Sequence, residues 1–267
     1  MSFLQIVVLA LVQGITEFLP ISSSGHLVLV PYFGGWPDQG LLMDVAVHVG
    51  TLGAVVIYFW RDLWDMLVGL GRLLRGRRDP RAMLVIYLIL ATIPVVIAGF
   101  LVNAYAGDAL RSIAVIGWTT LGFGIVLYVT DRLGMTLRTL DHIGWRDALV
   151  VGLAQVLALV PGTSRSGITM SAARMLGMER SDAARFSMLL SIPTILGAGL
   201  LKGKELYDSG NAALTFDAIL AAGLSMVAAL IAVALMMAWL KRATFTPFVV
   251  YRVVLGVVLL ALAYGVV

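Results

Sequence analysis

The chain has 267 residues, of which 60% are hydrophobic and only 13% are charged, and its formal net charge is +4. Soluble domains average about 45–50% apolar and about 25% charged residues, so this composition predicts a multi-pass membrane protein and excludes an ordinary soluble domain. The excess positive charge lies mostly in arginines between apolar runs, which indicates membrane orientation and not a nucleic-acid partner. The absence of cysteine excludes disulfides and thiolate chemistry.

The first predicted element is a re-entrant helical hairpin over residues 3–38. Its apolar stretch, 3–19, is short for a span, which needs about 20 residues, and it leads into the segment LVQGITEFLPISSSGH, from Leu11 to His26. Irregular backbone at membrane depth must be shielded by protein or line a cavity, because lipid offers no hydrogen bonds. The segment therefore predicts a break between two helices inside the protein.

Six further apolar segments predict transmembrane helices, three before and three after a second hairpin. They cover residues 41–60, 83–102, 113–130, 184–201, 215–240 and 247–267. The segment 61–82 is rich in arginine, so we predict a cytoplasmic loop there. Following the chain from this loop makes 131–147 a cytoplasmic connecting loop and leaves both termini outside.

The second hairpin is predicted over residues 148–173, because the first motif recurs there. Gln155 precedes Ser164 by the same nine positions that separate Gln13 from Ser22, and each serine begins a Ser-x-Ser-Gly sequence. Each half, 1–130 and 148–267, is then one hairpin followed by three spans, and an odd number of spans inverts the second half. The predicted fold is an all-α integral membrane protein with six transmembrane helices plus two re-entrant helical hairpins in an inverted repeat.

Together the two motifs predict a phosphate site. Serine hydroxyls, free backbone N–H groups and the positive end of a helix dipole suit an anion, and the guanidinium of Arg165 adds forked donors. Two such loops that meet near the midplane suit a pyrophosphate. The alternative is that proline, serine and glycine only end and cap the helices. The candidate binding residues are Gln13, Ser22, Ser24, Gly25, Thr163, Ser164, Ser166 and Gly167.

Glu17 and His26 are the candidate reactive groups of the first motif. Gln13 lies four residues before Glu17, so the two side chains share a helix face. A carboxylate beside a phosphate site binds a divalent cation or handles a proton, and the alternative is a structural ion pair between Glu17 and Arg165. His26 is a candidate acid, base or nucleophile, and the alternative is a histidine that only hydrogen-bonds at a helix start.

Other polar residues in apolar surroundings give weaker signals. For His48, a site role and a role as a polar core residue are equally supported. Tyr251 and Arg252 open the last span and are expected to reach toward the membrane surface. The arginines that flank the fourth span are expected to set orientation; they are Arg174, Arg180 and Arg185.

At these residues the chain resembles the undecaprenyl pyrophosphate phosphatase family, the membrane enzymes linked to bacitracin resistance. The two segments that carry the resemblance are Gln13–His26 and Pro161–Gly167, and supporting similarity lies in Phe186–Pro193 and around Tyr251. The resemblance implies hydrolysis of the terminal phosphate of undecaprenyl pyrophosphate, which recycles the lipid carrier for peptidoglycan synthesis. It also implies a divalent cation, Mg²⁺ or Ca²⁺, and an active site open to the outer face of the bacterial cytoplasmic membrane.

Roles follow from the resemblance position by position. Glu17 matches the essential acidic residue of the family and its expected metal ligand. Ser23 and His26 match the candidate nucleophile and acid/base, and Arg165 matches the phosphate-binding arginine. Some members carry Glu where this chain has Gln13, so a second carboxylate ligand is not expected here.

The function expected from the sequence is therefore a phosphatase whose partners are a prenyl pyrophosphate lipid and membrane lipid, with a homodimer as an option. The attacking group is Ser23, His26 or a water molecule. The alternative function is a transporter or flippase for a phosphorylated lipid or organic anion, because inverted repeats with broken helices are typical of transporters.

Overall fold

The computed structural model describes residues 1–105, 110, 112–209 and 211–265, and these form α-helices joined by short turns. The helices are α1 (Phe3–Thr16), α2 (Ser23–Gly34), α3 (Gly40–Tyr58), α4 (Trp60–Leu74), α5 (Pro80–Tyr105), α6 (Ile113–Leu133), α7 (Trp145–Val156), α8 (Arg165–Met175), α9 (Arg180–Ser209), α10 (Ala212–Leu240) and α11 (Thr246–Ala263). Short 3-10 helices lie at Leu140–His142 and Leu157–Leu159.

Within the described ranges, five helices are long and apolar enough to cross a membrane. They are α3, α5 over Pro80–Val102, α6, α10 over Leu214–Leu240, and α11. This confirms the prediction of an all-α integral membrane protein. The predicted span 184–201 lies inside α9, a longer helix that begins at Arg180.

The segment 61–82, predicted as a loop, is mostly helical. Helix α4 covers Trp60–Leu74 and packs against α5. Its tryptophans and leucines recur at helical spacing and stay exposed, as at Trp64 and Leu67, while Met66 is buried. The prediction counted the arginines and missed this apolar stripe, which at intervals of three and four residues is typical of an amphipathic helix.

Both motifs break their helix pairs in the same way. The residue before α2 is Ser22 with φ of 74°, and the residue before α8 is Ser164 with φ of 70°. Among the described residues these are the two non-glycine positions with positive φ. Each hydroxyl accepts the N–H of a glycine three residues on, Gly25 or Gly167, so an N-cap bond compensates for the strained backbone.

Equivalent helices of the two halves make equivalent contacts, when α1, α3, α5 and α6 are matched with α7, α9, α10 and α11. Helix α1 packs on α10, and its counterpart α7 packs on α5. Likewise α3 packs on α10, and its counterpart α9 packs on α5. The last helices of the two halves, α6 and α11, pack on each other. These contacts support the predicted inverted repeat, which stays a prediction because no membrane fixes the direction of either half.

Candidate functional site

A cavity of about 330 Å³ lies where the two breaks meet. Its polar lining comes from both motifs and from α3 and α9: Glu17, Ser23, Ser24, Asp44, His48, Ser164, Arg165 and Thr194. Its apolar lining is Leu27, Val28, Leu41, Val45, Ala158, Pro161 and Ile195. A charged group at one end and aliphatic walls around it suit a ligand that carries an anion on an apolar chain.

Glu17 lies at the centre of the polar lining, and only 6% of it is exposed. Its Oε1 accepts a hydrogen bond from Arg165 at 3.0 Å. Its Oε2 accepts from Ser23 Oγ at 2.6 Å and from Gln13 Nε2 at 3.0 Å, and lies 3.3 Å from His48 Nε2. The shared face of Gln13 and Glu17 is thus as predicted, and the ion pair with Arg165, which was the alternative role for Glu17, is present.

Ser23 and Arg165 occupy corresponding places, since each is the first residue of the helix that follows a break. Ser23 donates its hydroxyl to a carboxylate, the arrangement in which a base activates a nucleophile. Arg165 is held by a bond to the carbonyl of Ser187 and lies over the ring of Phe18. The two copies of the motif thus bring a hydroxyl and a guanidinium to one carboxylate.

Only part of the predicted binding set lines the cavity. Ser24 and Ser164 do so, together with Glu17, Ser23 and Arg165. Ser164 also caps α8 through Gly167. Two other positions serve the loops themselves, since Ser22 caps α2 through Gly25 and Ser166 donates to the carbonyl of Leu19. Gln13 and Thr163 are fully buried. The capping interpretation therefore holds for Ser22 and Ser164, while the anion site stays a prediction.

His26 lies on another side of the first motif. Its Nδ1 bonds to the carbonyl of Ser22 at 2.7 Å, and its Nε2 lies 2.6 Å from the hydroxyl of Tyr251. The two rings are stacked, with an interplanar angle of 12°. Because the carbonyl of Ser22 can only accept, Nδ1 carries the proton and Nε2 accepts from the tyrosine. His26 is not among the residues that line the cavity.

Tyr251→Phe tests whether this contact holds the first motif. The loss of one neutral hydrogen bond, about 0.5–1.5 kcal/mol, is expected to lower turnover by about 2- to 12-fold. The measurement is the initial rate of phosphate release, the activity that the resemblance implies, for Tyr251→Phe and wild type in the same detergent. The ratio of the two rates gives the effect of the hydroxyl. Tyr264→Phe, a change of the same kind near the end of α11, is the control. A rate for Tyr251→Phe equal to that of wild type contradicts this role.

Arg252 points into the protein, contrary to the expected position at the membrane surface. It is fully buried, and its guanidinium donates to carbonyls of both motifs, at Pro20, Gly162 and Thr163, and to Thr119 and Thr120 of α6. Arg252 lies six residues after the start of α11 at Thr246, whereas arginines that reach the membrane surface lie near the ends of helices. This position in the sequence is the signal for a buried role.

The arginines expected to set orientation also make specific bonds. Arg174 is fully buried and donates to Asp131, which accepts from Arg180 as well. Arg185 bonds to Asp62 of α4. The buried carboxylate of Asp131, between two guanidiniums, ties the last turn of α6 to the last turn of α8 and the start of α9.

His48 is the site residue that the sequence left undecided. Its ring lines the cavity and faces Glu17 from α3. The signal in the sequence is weak, since it consists of one histidine four residues after Asp44 in an apolar helix. Only the packing of α3 beside the break of α1 and α2 gives it a partner.

The residues around Glu17 do not by themselves form a site for the expected divalent cation. Within the described part of the chain, no group of three or more His, Cys, Asp or Glu side chains is placed to hold a metal ion. Both oxygens of Glu17 are already engaged, and two of their neighbours, Arg165 and His48, are cationic or able to be. The divalent cation stays a prediction.

The chain matches the family model of bacitracin resistance protein BacA over residues 6–258. It is 56% identical over 271 residues to undecaprenyl-diphosphatase 1 of Rhodospirillum rubrum, across 99% of this chain and 96% of that protein. It is 56% identical to the undecaprenyl-diphosphatase of Jannaschia sp. and 54% identical to that of Ruegeria pomeroyi, across 99% of this chain and 100% of each relative. With both motifs inside the matched region, the chain belongs to the family of bacitracin resistance protein BacA.

Proposed function

We propose that this protein is a phosphatase that hydrolyses undecaprenyl pyrophosphate to undecaprenyl phosphate and inorganic phosphate. The relatives that cover the whole chain carry this activity in their names. The single observation that carries the proposal is the contact of Ser23 Oγ with Glu17 Oε2 at 2.6 Å, in a cavity that Arg165 also lines. A hydroxyl, a base and a phosphate-binding guanidinium are the parts that phosphoryl transfer requires.

The pyrophosphate enters the cavity with its terminal phosphate between the starts of α2 and α8. Arg165 and the hydroxyls of Ser24 and Ser164 bind its oxygens, and the two helix N-termini add their positive dipole ends. The first isoprene units pack against the aliphatic lining, for example Leu41 and Val45, and the rest of the chain continues into the bilayer. The apolar walls thus fix the direction of the lipid chain, and with it the position of the P–O bond that breaks.

Ser23 is the proposed nucleophile, because it is the hydroxyl that faces a base. Its Oγ forms a bond to the terminal phosphorus, its proton passes to Glu17 Oε2, and the bridging P–O bond breaks with its electrons on the leaving undecaprenyl phosphate. Water then attacks the phosphoserine, and the bond between phosphorus and Ser23 Oγ breaks with its electrons on Oγ. Oγ takes back the proton from Glu17 Oε2, and inorganic phosphate leaves with both protons of the water. In this scheme His26 is bound to Ser22 and Tyr251 and does not attack.

We propose that the phosphates of the substrate would complete the ligand set of the divalent cation, because the side chains here do not form a site for it by themselves. Mg²⁺ is usually held by one or two carboxylates together with substrate phosphates, and Glu17 is the carboxylate that would hold it, with an amide at Gln13. Held there, the ion would neutralise phosphate charge, while Arg165 and the serine hydroxyls orient the group.

The site is proposed to face the outer side of the bacterial cytoplasmic membrane. The arginine-rich segment 61–82 supports a cytoplasmic position for α4 under the positive-inside rule. The cavity is lined by the first turns of α3, through Leu41 and Asp44, and this end of α3 lies opposite the end that leads into α4.

The test is phosphate release by the purified protein in detergent. We expect stoichiometric release of phosphate and undecaprenyl phosphate from undecaprenyl pyrophosphate, and release that depends on protein concentration. Tight binding of the lipid without any release contradicts the phosphatase and leaves the transporter or flippase as the function. Geranylgeranyl pyrophosphate as a second substrate separates recognition of the pyrophosphate from recognition of the chain length.

A further inference from the structure

The ring of His48 is held between two oxygen atoms. Nδ1 lies 2.6 Å from the backbone carbonyl of Asp44, and Nε2 lies 3.3 Å from Glu17 Oε2. A carbonyl oxygen can only accept a hydrogen bond, and an ionised carboxylate can only accept as well. A ring that carries a proton on each nitrogen therefore suits this position, and Nε2 lies 3.3 Å from the oxygen that also accepts from Ser23.

The helix that carries His48 is fixed in place. Gly50 of α3 lies in backbone contact with Ala222 of α10, so close that an added Cβ would be 2.1 Å from the carbonyl oxygen of Ala222. Ser225 of α10 also donates to the carbonyl of Val47, the residue before His48. Because α3 cannot slide on α10 without breaking these contacts, His48 meets Glu17 from a rigid support.

Three charged groups face this ring. Asp44 is on its own helix, Glu17 comes from the break between α1 and α2, and Arg165 lines the same cavity from α8. Arg165 holds the other oxygen of Glu17, Oε1. In the proposed function Arg165 also binds the incoming phosphate, which weakens its bond to Glu17 at the moment when Glu17 must stay in place.

We propose that His48 is a positioning residue for Glu17. Its Nε2–H keeps Oε2 at hydrogen-bond distance from Ser23 while the phosphate draws Arg165 away. A hydrogen bond to an ionised group is stronger than a neutral one, so a donor at Nε2 adds a strong bond to the one that the amide of Gln13 makes with the same oxygen. This inference rests on the proposed function, since it gives His48 a task only if Glu17 takes the Ser23 proton.

His48→Leu keeps the approximate volume of the side chain and removes the donor. We expect kcat to fall by about 10- to 100-fold, the loss typical of a hydrogen bond to a charged group, while KM stays within about threefold. His48→Gln keeps an N–H that reaches Glu17 and is expected to retain most of kcat. His48→Asn carries the same amide on a stem one methylene shorter and is expected to behave like His48→Leu.

The measurements are kcat and KM for phosphate release, with a melting curve for each variant. His142→Leu, the same substitution in an exposed turn, is the control and is expected to match wild type. If His48→Leu does not fold, the comparison of His48→Gln with His48→Asn decides the question, because both introduce an amide.

Three outcomes overturn the inference. They are a folded His48→Leu with unchanged kcat, a His48→Gln as slow as His48→Asn, and a His48→Leu in which only KM rises. Glu17→Gln, measured beside them, separates this failure from that of the proposed function. If Glu17→Gln is inactive and His48→Leu is not, only the role of His48 is wrong, whereas an active Glu17→Gln removes both.

Discussion

Glu17→Gln is expected to lower phosphate release by about 10²- to 10⁴-fold, the range typical for loss of a general base. The amide keeps the size of the side chain and can still meet Ser23, but it cannot take the proton of the hydroxyl. It also leaves Arg165 and His48 facing a neutral group. The measurement is the initial rate of phosphate release at saturating undecaprenyl pyrophosphate, normalised to folded protein.

Glu179→Gln is the matched control, because Glu179 is exposed in the turn between α8 and α9 and lies outside the cavity. It is expected to match wild type. A Glu17→Gln protein with more than about a tenth of the wild-type rate contradicts the assignment of Glu17 as the base.

A second measurement, on the same reaction, identifies the attacking group. Rapid quenching with substrate labelled at the terminal phosphate is expected to trap label on Ser23 in wild type and no label in Ser23→Ala. A Ser23→Ala protein that turns over at the wild-type rate removes the serine. Label found on His26 instead assigns the histidine.

Arg252→Met is expected to destabilise the protein and to abolish most of its activity. The guanidinium satisfies loop carbonyls at Pro20 and Thr163 and bridges both motifs, whereas methionine offers no donor. A buried polar group left without a partner costs about 1–3 kcal/mol, so two such carbonyls cost about 2–6 kcal/mol. At roughly 2–4 °C per kcal/mol, the melting temperature is expected to fall by at least about 4 °C.

Arg252→Lys distinguishes geometry from charge. The ammonium keeps the positive charge but lacks the planar fork that reaches carbonyls on two loops, so it is expected to restore less than half of the lost stability. Arg242→Met, at the exposed end of α10, is the control for loss of a cation. An Arg252→Met protein that melts with wild type and turns over normally contradicts the bridging role.

The motif residues could be predicted from the sequence because their spacing repeats. Two Ser-x-Ser-Gly sequences at equal distance from a glutamine mark the breaks, and Glu17 and Arg165 lie within them. The pairing of Glu17 with Arg165 entered only as the alternative role for Glu17, although two opposite charges at membrane depth are expected to meet. Repetition cannot show which side of a loop each hydroxyl faces. The predicted binding set therefore includes Ser22 and Ser166 together with Ser24, although Ser22 and Ser166 bond to backbone groups and only Ser24 of the three lines the cavity.

His48 and Arg252 could not be assigned because each is one polar residue in an apolar helix. Their partners lie on helices from distant parts of the chain, and a periodic pattern gives the face of a helix but not its neighbour. The helix over Trp60–Leu74 is not predicted, although its signal is strong. The arginines of the segment 61–82 indicate a cytoplasmic loop, and the apolar residues at helical spacing between them were not weighed against that signal. His26 lies in the first turn of α2, the alternative considered for it, and its contact with Tyr251 depends on the packing of α11.

The bond between Glu17 and Arg165 joins residues 148 positions apart, and that between Arg252 and Pro20 joins residues 232 positions apart. At about 5–20 residues per second of synthesis, Arg165 leaves the ribosome about 7–30 s after Glu17. During this interval the carboxylate has partners only from its own half of the chain, Gln13, Ser23 and His48. The guanidinium of Arg165 therefore joins a site whose first half is already made, and its contact with Glu17 is the last of these contacts that synthesis makes possible.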